Sequence, residues 1–280
     1  MNKKLTIFVA CHKPVEVITN DIYIPIHVGR VTSRFKVEMS SMIGDDTGDN
    51  ISVKNPFYSE MTAQYWVWKN YTASEYIGFC HYRRYFDPNI QTRDIIQKFD
   101  RADVLMIEPN FRTNTRIAYA SNFISPEDLA IVIKVINKLY PEYNNAFAKY
   151  AYGYRDYCLN MFICKRELFN QYAKWIFDIL FECEKYIRLS EYSRARRVFG
   201  YIAELLMPVF FLHNNKRIET IPYYNSESNV LLHNKILVRI KLRIKELLLQ
   251  YIINPQYKRI KIIENDQAIE IGLKNDGIKI

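Results

Sequence analysis

Three short, largely apolar runs, Leu5–Ala10, Tyr76–Tyr82 and Asp103–Ile107, each close on polar residues. Runs of this length without polar alternation read as strands buried on both faces of a parallel or mixed sheet. Between the first two, Tyr58–Asn70 predicts a helix, with Pro56 just ahead of it and Asn70 at its end. Pro126-Glu127-Asp128 opens another helix that runs to Tyr140 and stops at Pro141. Leu159–Cys164 predicts a further strand, Lys165–Arg188 and Arg197–Leu212 long helices, and Ile218–Tyr223 a late strand. Strands alternating with helices imply an α/β sandwich, expected as one domain over residues 1–228. Ligands of such sheets gather at the carboxyl ends of strands. That places Cys11-His12-Lys13 and His81-Tyr82-Arg83-Arg84 at the expected site.

Residues 229–280 read differently. Ile236, Leu237, Ile240, Ile244, Leu247, Leu248 and Tyr251 recur at helical spacing, while Lys235, Arg239, Lys241, Arg243 and Lys245 fill the rest of the wheel. The chain carries a net charge of +9. Residues 234–261 alone hold eight basic residues against Glu246, a net +7, which leaves +2 for everything else. The excess charge belongs to the tail. A basic amphipathic helix suits an anionic bilayer, so residues 232–261 are expected to meet the inner face of the cytoplasmic membrane. The alternative is a helix packed on its own domain with solvated cations. Nucleic-acid binding is disfavoured, because the basic residues lack an accompanying fold motif or interleaved aromatics.

Composition removes several enzyme classes. Only 8 of 280 residues are glycine, and neither G-x-G-x-x-G nor G-x-x-x-x-G-K-[ST] occurs, so dinucleotide oxidoreductases and P-loop NTPases lose their support. Any grip on phosphate must come from side chains. Cys11, Cys80, Cys158, Cys164 and Cys183 are odd in number, irregularly spaced and without a C-x-x-C, which fits a reducing cytoplasm. Leu5–Ala10 is too short for a signal-peptide core, and no stretch approaches the ~18 apolar residues of a spanning helix.

Candidate chemistry lies in four places. The loop Gly44-Asp45-Asp46-Thr47-Gly48-Asp49-Asn50-Ile51-Ser52 sets three carboxylates and an amide between turn-forming glycines, suited either to hydroxyl groups or a divalent ion, or simply to a turn. The strand end His81-Tyr82-Arg83-Arg84 projects cationic donors suited to a diphosphate. Glu60, Gln64 and Trp68 share one helical face that faces either a nucleotide or the core. Asp156 and Glu204 are carboxylates in apolar surroundings, where desolvation raises a pKa toward the general-base range unless an ordinary ion pair holds them. His12, His27, His213 and His233 have no partner spacing and read as structural.

Taken together, Ala10-Cys-His-Lys13, Gly44-Asp-Asp-x-Gly-Asp-Asn-Ile-Ser52, Asn55-Pro-x-Tyr-x-Glu60-x-Thr62 with Tyr65-Trp-x-Trp-Lys-Asn70, Cys80-His-Tyr-Arg-Arg-Tyr-Phe86, Asn160-Met-Phe and Arg197-Val-Phe-Gly with Glu204 resemble a bacterial family of capsular and O-antigen polysaccharide glycosyltransferases, long catalogued as a domain of unknown function. Some of its members resemble galactofuranosyltransferases. The resemblance covers residues 5–225 and implies a GT-A-like fold of Rossmann type, a UDP-sugar donor, a lipid-linked acceptor and an inverting hexosyl transfer. It implies a carboxylate as catalytic base, Asp156 first and Glu204 second, with Asn160 and Arg197 near the acceptor or behind the site. Donor contacts would come from Lys13, Asp45, Asp46, Asp49, Asn50, Glu60, His81, Arg83 and Arg84. GT-A enzymes usually carry Asp-x-Asp where His81-Tyr82-Arg83 stands here. Two carboxylates need a cation to hold a diphosphate, whereas His and Arg bring the positive charge themselves. No metal cofactor is therefore expected; were manganese or magnesium used, Asp45, Asp46 and Asp49 would be its ligands. A noncatalytic sugar- or nucleotide-binding module and a nucleic-acid-binding protein are the rival classes.

Overall fold

The computed structural model describes residues 3–112, 114–232, 236–253 and 266–280. The chain opens with β1 (Lys3–Cys11), β2 (Tyr23–His27) and β3 (Ile43–Gly44), followed by helices α1 (Asn55–Tyr58) and α2 (Met61–Asn70). Next come β4 (Ser74–His81), β5 (Arg84–Phe86), α3 (Thr92–Lys98), β6 (Val104–Ile107) and β7 (Asn110–Phe111). Helices α4 (Arg116–Ala120), α5 (Pro126–Leu139) and α6 (Asn144–Ala151) lead to β8 (Arg155–Asp156) and β9 (Phe162–Lys165). Then follow α7 (Arg166–Glu184), α8 (Ser193–Arg196), α9 (Val198–His213), β10 (Ile218–Ile221), β11 (Tyr223–Asn225) and β12 (Val230–Leu232). The last two helices are α10 (Ile236–Leu247), continued as a π-helix over Leu248–Ile253, and α11 (Gln267–Asn275).

The main sheet runs β10-β6-β9-β4-β1-β2-β3. Neighbours on this path are parallel except where β9 runs antiparallel to β4 and β6, so the sheet is mixed and mainly parallel. The middle residues of β1, β4, β6 and β9 are largely apolar because these strands serve two cores by alternation. Phe8, Phe79, Val104, Met106 and Phe162 face one cluster with residues of α2, α5, α7 and α9. Ile7, Val9, Leu105, Ile107 and Ile163 face a smaller one that includes Ile95 of α3. In the middle of the sheet Gly78 pairs with Ile7 and Ile163. A Cβ there would lie 2.9 Å from Ile163 Cγ1 and 3.0 Å from Ile7 Cγ1, so this close passage of three strands requires glycine.

Two elements differ from expectation in ways that matter for the site. The helix expected over 58–70 is broken at Ser59, whose φ of 52° lies in the left-handed region. Asn55 stabilises the break, its Nδ2 donating to Ser59 O at 2.7 Å and to Thr62 Oγ1 at 3.2 Å. The strand expected over 159–164 begins only at Phe162, because Leu159 and Asn160 take φ of 77° and 48°. Several short elements gave no readable sequence signal. β2 contains Pro25, a residue that argues against a central strand.

Beyond residue 228, β12 pairs with β11, and α11 sets Ile269 and Leu273 into the larger core beside α5, with a Lys134–Glu270 ion pair at 2.8 Å. Helix α10 lies against the two-stranded ribbon of β7 and β8, with Leu249 packed on Phe111 and Tyr154. Lys235, Lys258, Arg259 and Lys261, which the tail expectation also used, lie outside the described residues. Among the described residues no helix is long and apolar enough to cross a membrane.

Gly78→Val is expected to unfold the protein or lower its melting temperature by well over ~5 °C, an overpacking of the kind that typically destabilises by about 1–3 kcal/mol or more. Gly272, in the interior of α11, has open space where a Cβ would stand, with nothing within 4 Å. Gly272→Ala should raise the melting temperature by roughly 1–3 °C, since alanine favours a helix by about 0.5–1 kcal/mol over glycine. Thermal melts of the two variants side by side check both.

Candidate active site

Because β1 and β4 are adjacent and parallel, with Ala10 opposite His81, the polar residues following each strand emerge together. Tyr82 N–H donates to Ala10 O at 3.3 Å and fixes this junction. Around the Tyr82 ring stand the His12 ring at 5.3 Å, Lys13 Nζ at 5.9 Å and the Arg83 guanidinium at 4.9 Å. From the opposite wall, Arg197 at the start of α9 donates from Nε to Ser59 Oγ at 2.9 Å, a contact made available by the break before α2. A cleft of 350 Å³ opens here, lined among others by His12, Asn55, Ser59, Ser193, Arg196 and Arg197. The site is strongly cationic: burial lowers the His12 pKa, and the charges of Lys13, Arg197, Arg83 and His81 lower it further. Arg83 also pairs with Glu227 at 2.9 Å. Arg84 sits on β5 opposite Asn225, where its charge reaches Tyr82 and Tyr223.

The left-handed turn at Leu159 and Asn160 floors the site. His81 Nε2 lies 2.6 Å from Leu159 O; a carbonyl only accepts, so this ring nitrogen carries the proton. Asn160, almost wholly buried, donates from Nδ2 to Glu60 Oε1 at 2.6 Å and to Gly200 O at 3.4 Å. One helical turn beyond Gly200 stands Glu204, whose side chain is 21% exposed. Burial pushes its pKa up to about 7; Arg116 opposes the rise, and the carboxylates of Glu60 and Asp156 reinforce it. A carboxyl that ionises near neutrality and still touches solvent is suited to accepting a proton.

Asp156 lies in a different setting. It is 0% exposed and clamped by Arg112, whose Nε and Nη2 stand 2.8 Å and 2.7 Å from Oδ2. Arg116 Nε is 2.8 Å from Oδ1, a charge contact whose N–H is not aimed along it. Arg116 is 3% exposed and brings Nη2 to 3.6 Å from Glu204 Oε1. It therefore links the two acids. Arg112 lies 3.7 Å over the Tyr119 ring.

The acidic loop sits at the carboxyl ends of β2 and β3, on the same side of the sheet. Asp45 is fully buried and accepts from Gly29 N–H at 2.8 Å, Arg30 N–H at 3.1 Å and Ser52 Oγ at 2.5 Å. Gly29, at φ 66°, makes that turn possible. Asp46 faces Arg30 at 3.7 Å. Asp49 accepts from Tyr65 OH at 3.0 Å, and Asn50 accepts from Ser52 N–H at 3.2 Å. Trp66 and Trp68 serve packing: Trp66 donates to Thr47 Oγ1 at 2.9 Å, and Trp68 stacks on Phe177. Among the described residues, no three His, Cys, Asp or Glu side chains converge as a metal-ligating group.

The structure thus gathers the charges of Lys13, His81, Arg83 and Arg197 around His12, which lines the cleft with Arg197, and joins Glu60 to Asn160 and, through Arg116, Asp156 to Glu204. The acidic loop is largely occupied in holding its own turn. Three arginines, Arg112, Arg116 and Arg196, were not singled out from sequence, and His12 was placed at the strand end without a role. His12, read there as structural, and Arg196 line the cleft; Arg112 and Arg116 hold the acids. The spacing of those two arginines, four apart after the β6–β7 region, was the available signal.

No curated protein matches the chain. Among solved structures, it is similar to the apo structure of the bifunctional glycosyltransferase WbbM, with a TM-score of 0.66 and 28% sequence identity over 80% of this chain. The match covers 45% of that protein, so the chain spans under half its length. The family described as "Domain of unknown function (DUF4422)" matches residues 6–216, and the chain belongs to that family.

Proposed function

We propose that the protein is an inverting glycosyltransferase that moves a hexose, galactose or galactofuranose, from a UDP-sugar to a hydroxyl of a lipid-linked glycan in capsule or O-antigen synthesis. One observation carries this reading: a cation-lined cleft and a carboxyl titrating near 7 lie at the same end of the sheet. The similarity to part of a bifunctional glycosyltransferase supports it. In the proposed reaction the acceptor oxygen attacks the anomeric carbon while Glu204 takes the hydroxyl proton. The bond from the anomeric carbon to the diphosphate oxygen breaks, and the nucleoside diphosphate departs with the bonding electrons. Lys13, Arg83 and Arg197, with Arg84 alongside, stabilise its developing charge. Glu60 and Asn160 set the donor sugar against Glu204. We assign Asp156 to positioning, because Arg112 and Arg116 already occupy a carboxylate with no exposed surface. Asp45, Asp46, Asp49 and Asn50 shape the donor wall through the loop they hold, and donor binding is metal-independent.

Glu204→Gln is expected to lower kcat by about 100- to 10,000-fold with donor affinity retained. The parent's kcat/KM should fall tenfold per pH unit below about 7, as Glu204 becomes protonated. A raised carboxyl pKa means that the fold loses stability as pH rises from the ordinary carboxylate range to about 7, the loss being complete above it, so Glu204→Gln should melt at or above the parent at about pH 8, the difference vanishing near pH ~4. Asp156→Asn should instead be unstable, by about 3 kcal/mol, because it leaves buried Arg116 short of countercharge. Unchanged turnover in Glu204→Gln would remove it as the base.

Transfer should persist in excess EDTA. Arg83→Ala and Arg197→Ala should each raise the donor KM about tenfold or more, in line with the weight of charge-assisted bonds. A thermal-shift comparison of UDP, GDP and CMP sugars identifies the donor series. Loss of activity in EDTA restored by manganese would overturn metal independence, and no shift with any nucleotide sugar would overturn the transferase reading.

A further inference from the structure

Helix α10 is turned the wrong way round for a helix packed on its own protein. Its described apolar side chains point outward: Leu237 is 78% exposed, Ile240 50%, Ile244 53% and Leu247 56%, and Leu248 and Tyr251 of the following π-helix are exposed as well. The polar side chains hold it down. Glu246, nearly buried, pairs with Arg155, and Lys245 Nζ donates to Phe111 O at 2.7 Å. At about 100° per residue, Leu237, Ile240, Ile244 and Leu247 form one stripe opposite Glu246, with Lys241 on one border and Arg243 on the other. Both of these cations are exposed. An apolar stripe with a cationic border on each side is complementary to the boundary between acyl chains and anionic headgroups.

We propose that α10 and its π-helical continuation dock the protein on an anionic lipid leaflet, the stripe entering the acyl boundary and Lys241 and Arg243 meeting the headgroups. The helix is not a loose anchor. It is fixed through Arg155 to β8, whose next residue is Asp156 of the acid cluster. Docking would therefore hold the Glu204 pocket at a set height and tilt over the membrane. That consequence, though not the docking itself, rests on the glycosyltransferase reading, and it places the acceptor's lipid end beside α10 and its glycan end at Glu204.

The test is co-sedimentation of the full chain with vesicles of phosphatidylcholine alone and of phosphatidylcholine mixed with phosphatidylglycerol, without nucleotide sugar. Binding is expected only to the anionic vesicles and should weaken as salt rises. Lys241→Gln with Arg243→Gln should lower the partition coefficient about fivefold per charge. The triple substitution Ile240→Gln, Ile244→Gln and Leu247→Gln should lower it roughly tenfold or more, keep the parent's melting temperature because these side chains are exposed, and keep its kcat on a soluble acceptor. Equal binding to neutral and anionic vesicles, no binding to either, or a dimer of this chain that the triple substitution dissolves would each overturn the proposal. The readout needs no turnover, so vesicle binding by a protein that transfers no sugar leaves the docking standing and fails only the transferase reading.

Discussion

A guanidinium removed from water needs countercharge, and Arg116, 3% exposed, is the group around which the candidate site is arranged. Asp156 supplies that charge at contact distance and is itself held by Arg112. Glu204 stands farther off, at 3.6 Å, and receives only part of the benefit. With Asp156 and Glu60 nearby, ionising Glu204 adds negative charge to a region already compensated. The result is two acids of the same chemistry with divided roles. One is locked as an ion-pair partner, and the other is left able to exchange a proton near neutral pH. Such a division follows from the burial of Glu204 together with the unequal distances of the two acids to one cation.

The same economy governs the cationic cleft. The chain has 8 glycines and no glycine-rich loop of the kind that presents backbone amides to a phosphate. It uses the parallel pairing of β1 and β4 to bring Lys13, His81 and Arg83 out at one level, and the start of α9 to bring Arg197 across from them. Ser59 connects these halves. The left-handed residue that breaks the helix also offers the hydroxyl that positions Arg197. Leu159 and Asn160 do the equivalent below, with the carbonyl of one accepting from His81 and the amide of the other reaching Glu60 and α9.

Strands buried on both faces and helices with a clear apolar face were legible from the sequence, because each pattern has one way to be buried: β1, β4, β6, α5, α7 and α9 all lie where their patterns put them. The cationic strand end was legible for the same reason, since a buried strand must stop where Arg83 and Arg84 begin. What sequence reading missed is what depends on contacts between distant segments. The positive-φ conformations at Ser59 and Leu159 occur at residues that do not advertise them, and Asn160 belongs to a type that tolerates this region without announcing it at any one position. For the acidic loop the sequence left a ligand site and a turn open, and the backbone amides that Asp45 accepts from, which hold the turn, are partners that periodicity cannot reveal. Ranking Asp156 ahead of Glu204 failed to anticipate Arg112 and Arg116, whose reach across to β8 is a property of the folded ribbon. The tail pattern identified an amphipathic helix but not which of its faces meets the body; that was decided by Arg155 and Phe111, far away in the chain.

The two-residue strand β8 also limits how this sequence can vary in length. Arg155 and Asp156 point to opposite sides, one to Glu246 of α10 and the other to the arginine pair. Inserting or deleting a single residue just before them would exchange their faces, because side chains alternate along a strand. Arg155 would then meet Arg112 and Arg116, and Asp156 would meet Glu246, so both contacts would change from attraction to repulsion at once. Length changes in descendants of this chain should therefore be tolerated in its surface turns and excluded from the few residues around Tyr154 and Tyr157.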